Sequence, residues 1–174
     1  ITERARLLVR DAIVYQRKWL KEDPRQGSRA RATCWSLLGS AKTIRYPRNL
    51  SGTSSIRALQ GALLDTVRSV ARAVRRAQRV NGLWGAYLDD PTTSDDTSGS
   101  AGIAAAFAIP SGDNYLPAEY RDAAEDALDG LRAYVLADGM LSGVAQLNRG
   151  GDDLQRGPYR VVGQFALGLL GQLV

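Results

Sequence analysis

Histidine is absent from all 174 residues of the sequence. Without imidazole, the Ser-His-Asp and Cys-His arrangements of nucleophilic catalysis, the histidine-based metal motifs and proton shuttling near neutral pH are excluded. Any acid–base chemistry must therefore use carboxylates, tyrosine, lysine or groups tuned by arginine.

Cysteine and long apolar runs are almost as scarce. Cys34 is the only cysteine, so neither an internal disulfide nor a cysteine zinc site can form. No stretch approaches the roughly 18 consecutive apolar residues of a membrane span, so no membrane contact is expected. The 44% hydrophobic content suffices for one domain with its own core. The chain begins at Ile1 in charged helical sequence, which predicts a fragment or a processed product.

The two halves of the chain carry opposite charge. Residues 1–80 have 18 Lys/Arg against 5 Asp/Glu, whereas residues 81–174 have 5 against 13. The basic half is an electrostatic candidate for an anionic partner. One hypothesis is therefore a non-catalytic basic helical module that binds nucleic acid or an acidic protein. The sequence argues against it, because the arginines spread around their helix and no recognised DNA-binding motif is found.

Apolar residues recur at helical spacing along most of the chain, and no run alternates with a period of two. The sequence therefore predicts an all-α fold. The expected helices are Thr2–Lys21, Ala30–Tyr46, Ser55–Val80, Ser98–Ile109, Pro117–Ala137 and Tyr159–Leu173. In the second helix, the expected buried face comprises Cys34, Trp35, Leu38, Ala41 and Ile44. In the third, the expected core stripe comprises Ile56, Leu59, Leu63, Val67, Val70 and Val74.

A repeated pattern follows the long polar helices. Asn81-Gly82 closes one of them and Asp138-Gly139 closes another, 57 residues later. In both places a long loop follows and leads to a smaller or more apolar helix. Self-similarity of this kind indicates stacked helical hairpins with their long loops on one face, often the binding face. Three hairpins are expected.

Two features could carry function. The loop before the small-residue helix holds Trp84 and a run of aspartates, and such loops often bind or catalyse, although a solvated connection is the plain alternative. Arg31 and Trp35 stand four residues apart, on one helix face. A guanidinium beside an aromatic ring suits a sugar acid. The alternative is a core tryptophan beside a surface arginine.

Together these residues resemble the C-terminal half of the six-hairpin glycosidases of families 88 and 105, the unsaturated glucuronyl and unsaturated rhamnogalacturonyl hydrolases. Arg31-Ala32-Thr33-Cys34-Trp35 resembles the W-x-R-G/A-x-x-W helix start, with Arg29 in place of the first tryptophan. Leu83-Trp84 through Asp89 and then Asp96 through Ala101 are similar to the LW-x-x-x-LD and ETSxSA segments. The sequence from Asp138 onward looks like the closing segment of bacterial members. The resemblance covers residues 29–174, while residues 1–28 diverge.

The resemblance implies an (α/α)6 toroid, of which this single partial domain, residues 1–174, would hold about three of six hairpins. It implies an oligosaccharide substrate, released by polysaccharide lyases, whose terminal uronic acid bears a 4,5 double bond. It implies no metal and no cofactor. By position, Arg31 and Trp35 would hold the unsaturated sugar. The residues that would line or support the site are Trp84, Asp95, Asp96 and Ser98.

The catalytic acid has no assigned position in this chain. In the family that the chain resembles, the catalytic aspartate lies upstream of the arginine–tryptophan motif. The acid would then come from another chain or from Asp89, Asp95 or Asp96, if burial raised the pKa of the carboxyl enough. Three hairpins would also leave an open flank of apolar inner helices, so another hypothesis is a half-toroid that dimerises through this flank.

Overall fold

The computed structural model of the chain describes residues 29–45, 54–146 and 151–173, so the predicted helix Thr2–Lys21 lies outside it. Within these ranges the chain forms six helices and one short two-stranded ladder. In order they are α1 (Ala30–Arg45), α2 (Ser54–Arg76), α3 (Thr97–Gly112), α4 (Glu119–Arg132), β1 (Val144–Ala145), α5 (Gly151–Arg156), β2 (Arg160–Val161) and α6 (Gln164–Leu170). The described helices include none that is both long and apolar enough to span a membrane.

The helical class and four of the helices agree with the sequence prediction, but several boundaries differ. Helices α2 and α4 end at Arg76 and Arg132, four and five residues earlier than expected, where the chain enters turns. The predicted helix Tyr159–Leu173 is shorter, because strand β2 precedes it and pairs antiparallel with β1. Residues at both ends of that long predicted helix therefore belong to turns or to the ladder. The short helix α5 has no counterpart in the prediction.

Helix α3 lies at the centre of the described fold, packed against α1, α4 and α6. It is buried on nearly every side because its side chains are small. A Cβ added to Gly99 would lie 2.7 Å from the Ala30 Cβ, and one added to Gly102 would lie 2.6 Å from the Cys34 Sγ. Such distances are too short for real atoms, so the two glycines permit the close approach of α1 and α3.

The core stripe predicted for α2 is buried at Leu63, Val67 and Val74. The side chain of Ile56, which was also predicted for this stripe, lies outside the described residues. The buried face predicted for α1 needs one correction. Leu37 fills the core, whereas Trp35 is 50% exposed. Helical spacing placed Trp35 at the margin of the apolar stripe, where periodicity alone could not separate a buried position from a half-exposed one.

The two glycine turns predicted as a repeat have the same geometry. Asn81 Oδ1 accepts a hydrogen bond from the Leu83 backbone N–H at 3.1 Å, and Asp138 Oδ1 accepts one from Met140 at 3.0 Å. Gly82 and Gly139 adopt left-handed φ angles of 78° and 82°, which favour glycine. Each turn reverses the chain after an outer helix. The repeat of outer helix, glycine turn and long loop is therefore confirmed.

Candidate functional site

The long loops meet above the N-termini of the inner helices α1 and α3. The Thr97 backbone N–H donates to the Gly143 carbonyl at 3.1 Å, and the Thr97 hydroxyl donates to the Ser142 carbonyl at 2.6 Å. The Ala30 backbone N–H donates to the Ala86 carbonyl at 3.0 Å. These bonds bring three sequence-distant segments to one end of the fold.

Arg31 lies in the first turn of α1, and its side chain contacts the other segments at this end of the fold. Its Nε donates to Ser98 Oγ at 3.1 Å, its Nη1 donates to the Gln146 carbonyl at 3.1 Å, and its Nη2 donates to the Ala145 carbonyl. A guanidinium carries five N–H donors. Counted over the described residues, one N–H on each terminal nitrogen remains for a further partner.

Asp96 is the buried carboxylate of this cluster, with only 2% of its side chain exposed. Its Oδ1 accepts hydrogen bonds from the Ser98 backbone N–H at 3.1 Å, the Ser98 hydroxyl at 2.7 Å and the Ala145 backbone N–H at 3.0 Å. Its Oδ2 lies 3.6 Å from Arg31 Nε. The first of these bonds caps α3, because Asp96 is the extended residue just before that helix.

One aromatic ring contacts Arg31, and a second belongs to the residue one helical turn further along α1. The Arg31 guanidinium lies 5.0 Å from the centre of the Phe165 ring, a cation–π distance. One turn further along α1, Trp35 is half exposed and accessible to a ligand. The sequence prediction missed Phe165, which carried no signal beyond its place in an apolar helix.

Trp84 is completely buried, so it supports the loop and presents no surface to a ligand in this arrangement. Its indole Nε1 donates to the Val74 carbonyl at 2.8 Å, and its ring packs edge-on against Phe107 at 5.8 Å. The Trp84 backbone N–H donates to Ser100 Oγ at 2.9 Å. The loop before α3 is thereby anchored to both α2 and α3.

Asp95 lies beside Asp96 in sequence but belongs to a different cluster. Its Oδ1 accepts from Arg79 Nη1 at 2.6 Å and its Oδ2 accepts from Asn81 Nδ2 at 2.8 Å. Its backbone carbonyl accepts from Arg160 Nε at 2.6 Å. One partner in the protein engages each carboxylate oxygen, so the Asp95 side chain is held in the internal contacts of the loop.

A second polar cluster, which the sequence prediction missed, surrounds Tyr87. The Tyr87 hydroxyl donates to Asp152 Oδ1 at 2.7 Å and accepts from Arg29 Nε at 3.1 Å. The Arg156 guanidinium lies 3.9 Å from the centre of the Tyr87 ring, and its Nη1 donates to Asp90 Oδ2 at 2.7 Å. The hydrogen bonds of this cluster join residues 58 to 66 positions apart. Such separations leave no periodic signal in the sequence.

The electrostatics of this cluster follow from its hydrogen bonds. Burial, followed by the hydrogen bond to Asp152, raises the pKa of the Tyr87 hydroxyl. The same hydrogen bond from Tyr87 lowers the pKa of Asp152. Bonds from the Thr92 hydroxyl and backbone lower the pKa of Asp90. Both carboxylates are therefore held in the charged form that the neighbouring arginines require.

The other reactive groups of the described residues do not form a metal site. They include no cluster of three or more histidine, cysteine, aspartate or glutamate side chains placed to hold a metal ion. Cys34 is fully buried, and burial raises the pKa of its thiol far above the usual range. Because the thiolate is the reactive form, this cysteine fills space and does not act as a nucleophile.

The described residues form helical hairpins whose long loops meet at one end, beside Arg31 and the half-exposed Trp35. The sequence matches Glycosyl Hydrolase Family 88 over residues 10–170, so the chain belongs to that family. A search of curated protein sequences found no match.

Solved structures of related proteins share the fold. The chain is similar to a possible member of the GH105 family from Salmonella enterica serovar Paratyphi A, with a TM-score of 0.74 and 20% identity. It is also similar to a possible GH105 member from Klebsiella pneumoniae (TM-score 0.72, 21% identity) and to a family 88 glycosyl hydrolase from Bacteroides vulgatus (0.64, 20%). The match covers 83% of this chain in each case, but only 38%, 38% and 41% of those chains. The chain therefore spans about two fifths of their length, in agreement with a partial toroid.

Proposed function

We propose that this chain contributes the sugar-acid-holding part of a hydrolase that acts on lyase-derived oligosaccharides ending in an unsaturated uronic acid. Membership of family 88 supports the reaction class. The observation that carries the proposal is that Arg31, counted over the described residues, keeps an N–H on each terminal nitrogen one helical turn from the half-exposed ring of Trp35. A carboxylate and a sugar face are the two features that such a pair recognises.

In this reaction a carboxylic acid donates a proton to one carbon of the enol-ether double bond. Water adds to the neighbouring carbon, and the unstable adduct rearranges and releases the sugar. In the proposed roles, Arg31 binds the uronic carboxylate and Trp35 stacks on the ring. Asp96 and Ser98 hold Arg31, while Trp84 and Asp95 support the loop from the side of α2.

The proton donor has no assigned residue in the described part of the chain. Asp95 and Asp96 are each engaged by an arginine and by further hydrogen bonds. Asp89 is exposed on the loop. We therefore propose that the acid belongs to the part of the toroid that the solved relatives possess in addition to the matched region.

Binding of an unsaturated disaccharide, measured by calorimetry, tests the proposal. Alanine at Arg31 or Trp35 should weaken binding by about tenfold or more, because each change removes a charge-assisted hydrogen bond or a stacking surface. Arg132→Ala is the matched control, since Arg132 is 74% exposed and pairs with Asp129 on the outer helix α4. Unchanged binding in both the Arg31 and the Trp35 variant would contradict the site assignment.

A homodimer stays a prediction as well. Leu167 on α6 is a large apolar side chain that remains 41% exposed. Inner helices that lack their neighbours would bury such side chains by association. Sedimentation velocity at increasing concentration tests this, and a strictly monomeric chain would contradict it.

The alternative of a basic module that binds nucleic acid is not supported. Two arginines of the basic half make internal contacts. Arg79 pairs with Asp95, and Arg68 Nε donates to the Tyr115 carbonyl at 3.2 Å. The family match also points to carbohydrate chemistry.

A further inference from the structure

Arg31, Asp96 and Ala145 form a closed circuit, that is, a ring of polar contacts that links α1, the start of α3 and strand β1. Arg31 Nη2 donates to the Ala145 carbonyl, while the Ala145 backbone N–H donates to Asp96 Oδ1 at 3.0 Å. The circuit closes through the ion pair of 3.6 Å between Asp96 Oδ2 and Arg31 Nε. One carboxylate therefore fixes both the cation and the backbone segment to which the cation donates.

Ser98 adds a second link with a defined direction. Arg31 Nε–H donates to Ser98 Oγ, so the Ser98 hydroxyl hydrogen must turn to another acceptor. That acceptor is Asp96 Oδ1, at 2.7 Å. The two hydrogen bonds, from Arg31 to Ser98 and from Ser98 to Asp96, therefore donate in the same direction. They hold the guanidinium at Nε and leave the terminal nitrogens to other partners.

The burial of the two charged groups explains why neither can move alone. The Asp96 side chain is 2% exposed and the Arg31 side chain 16% exposed. Leaving either charge without its partner in such surroundings is strongly unfavourable. Asp96 offers almost no exposed surface to a ligand, whereas Arg31 keeps one N–H on each terminal nitrogen as far as the described residues show.

We propose that Asp96 is a positioning residue, which sets the orientation of the Arg31 guanidinium toward an anionic sugar and does not itself contact that sugar. The proposal rests on the proposed function for the identity of the ligand. It deepens that function, because affinity for the sugar acid then depends on a buried carboxylate of the same charge as the ligand.

The sign of the effect separates positioning from simple electrostatics. Removing the negative charge of Asp96 would by Coulomb's law alone strengthen the attraction between Arg31 and an anionic sugar. If Asp96 positions Arg31, the same change weakens binding, because the guanidinium must then be ordered when the ligand arrives.

The test compares Asp96→Asn with Asp129→Asn, a carboxylate on α4 that pairs with Arg132 and not with Arg31. The first measurement is solvent exchange of the Arg31 Nε–H proton, observed by NMR in the unliganded chain and assigned from its loss in Arg31→Lys. The second is calorimetric binding of an unsaturated disaccharide. We expect Asp96→Asn to accelerate the exchange and to lower the affinity by about tenfold or more. Asp129→Asn should leave both within about twofold.

Unchanged exchange in Asp96→Asn, or a rise in affinity, would overturn the proposal. Absence of disaccharide binding by the unsubstituted chain would instead count against the proposed function, while the exchange measurement would still decide whether Asp96 holds Arg31. If Asp96→Asn does not fold, Ser98→Ala provides the second variant. It removes the link between Arg31 Nε and Asp96 Oδ1 and should also accelerate the exchange, and unchanged exchange there would overturn the proposal.

Discussion

Nη1 of Arg79 lies 2.6 Å from Oδ1 of Asp95, in an ion pair whose side chains are only 26% and 15% exposed. Asn81 Nδ2 donates to the other carboxylate oxygen at 2.8 Å. The pair joins the segment after α2 to the loop before α3. Asp95 therefore acts in the structure as a brace for the loop on which Asp96 and Ser98 stand.

Replacing Asp95 by asparagine should lower the free energy of unfolding by about 1.5–3 kcal/mol, because a largely buried arginine loses its charged partner. The matched control is Asp129→Asn, which removes an ion pair of 3.4 Å between side chains that are more than 70% exposed. That change should cost less than about 0.5 kcal/mol. Urea unfolding measures both values, and equal losses would contradict the role of Asp95 as a brace.

Replacement by phenylalanine should affect stability at one of the two described tryptophans and ligand binding at the other. Trp84→Phe removes the bond to the Val74 carbonyl and leaves a void in the core, so the free energy of unfolding should fall by about 2–4 kcal/mol. Trp35→Phe, at a half-exposed position, should cost less than about 1 kcal/mol but weaken binding of the unsaturated disaccharide. Thermal unfolding and calorimetry on both variants test this. A stable Trp84→Phe chain would show that the indole is not the anchor of the loop.

Local signals explain which parts of the fold could be predicted from the sequence. Asn81-Gly82 and Asp138-Gly139 were recognised because a side-chain acceptor followed by a residue tolerant of positive φ specifies a turn by itself. The amphipathic stripe of α2 was equally visible. Strands β1 and β2 were missed because two residues cannot show a periodic pattern. Their pairing depends on a loop of more than ten residues between them.

The site could be predicted only in part, for a related reason. Arg31 and Ser98 were named from their resemblance to family motifs, and the structure brings them within hydrogen-bond distance. Ala145 and Gln146 contribute backbone carbonyls, which any residue possesses, so no sequence signal marks them. The Tyr87 cluster was missed because its arginines and aspartates looked like ordinary surface charges until the fold brought them together.

Two glycines in helices should respond in opposite ways to alanine. Gly61 in α2 faces open space, so Gly61→Ala should raise the free energy of unfolding by about 0.5–1 kcal/mol through helix propensity. At Gly99 the added methyl group would lie 2.7 Å from Ala30 Cβ and 3.1 Å from the Arg31 backbone nitrogen. Gly99→Ala should therefore cost about 1–3 kcal/mol, because α1 and α3 must separate. Urea unfolding checks both, and a stabilised Gly99→Ala chain would refute the close contact.

The Tyr87 cluster predicts a loss of stability at alkaline pH. The pKa of Tyr87 is raised above its ordinary value of 10.0, first by burial and then by the hydrogen bond to Asp152. The unfolded chain therefore releases this proton at a lower pH than the folded chain does. The stabilising contribution is fully present below about pH 10 and is lost as the pH rises through the folded-state pKa.

The difference in phenolate absorbance between the unsubstituted chain and Tyr87→Phe follows the titration of Tyr87 alone. We expect its midpoint above the ordinary tyrosine value, and we expect Asp152→Asn to move it downward, because the asparagine accepts the hydroxyl hydrogen less strongly and no longer repels the phenolate. Asp153→Asn, in the same short helix, is the control that should leave the midpoint in place. A Tyr87 midpoint at the ordinary value would show that the hydroxyl is exposed, and the contact between α5 and the loop at Tyr87 would then be absent in solution.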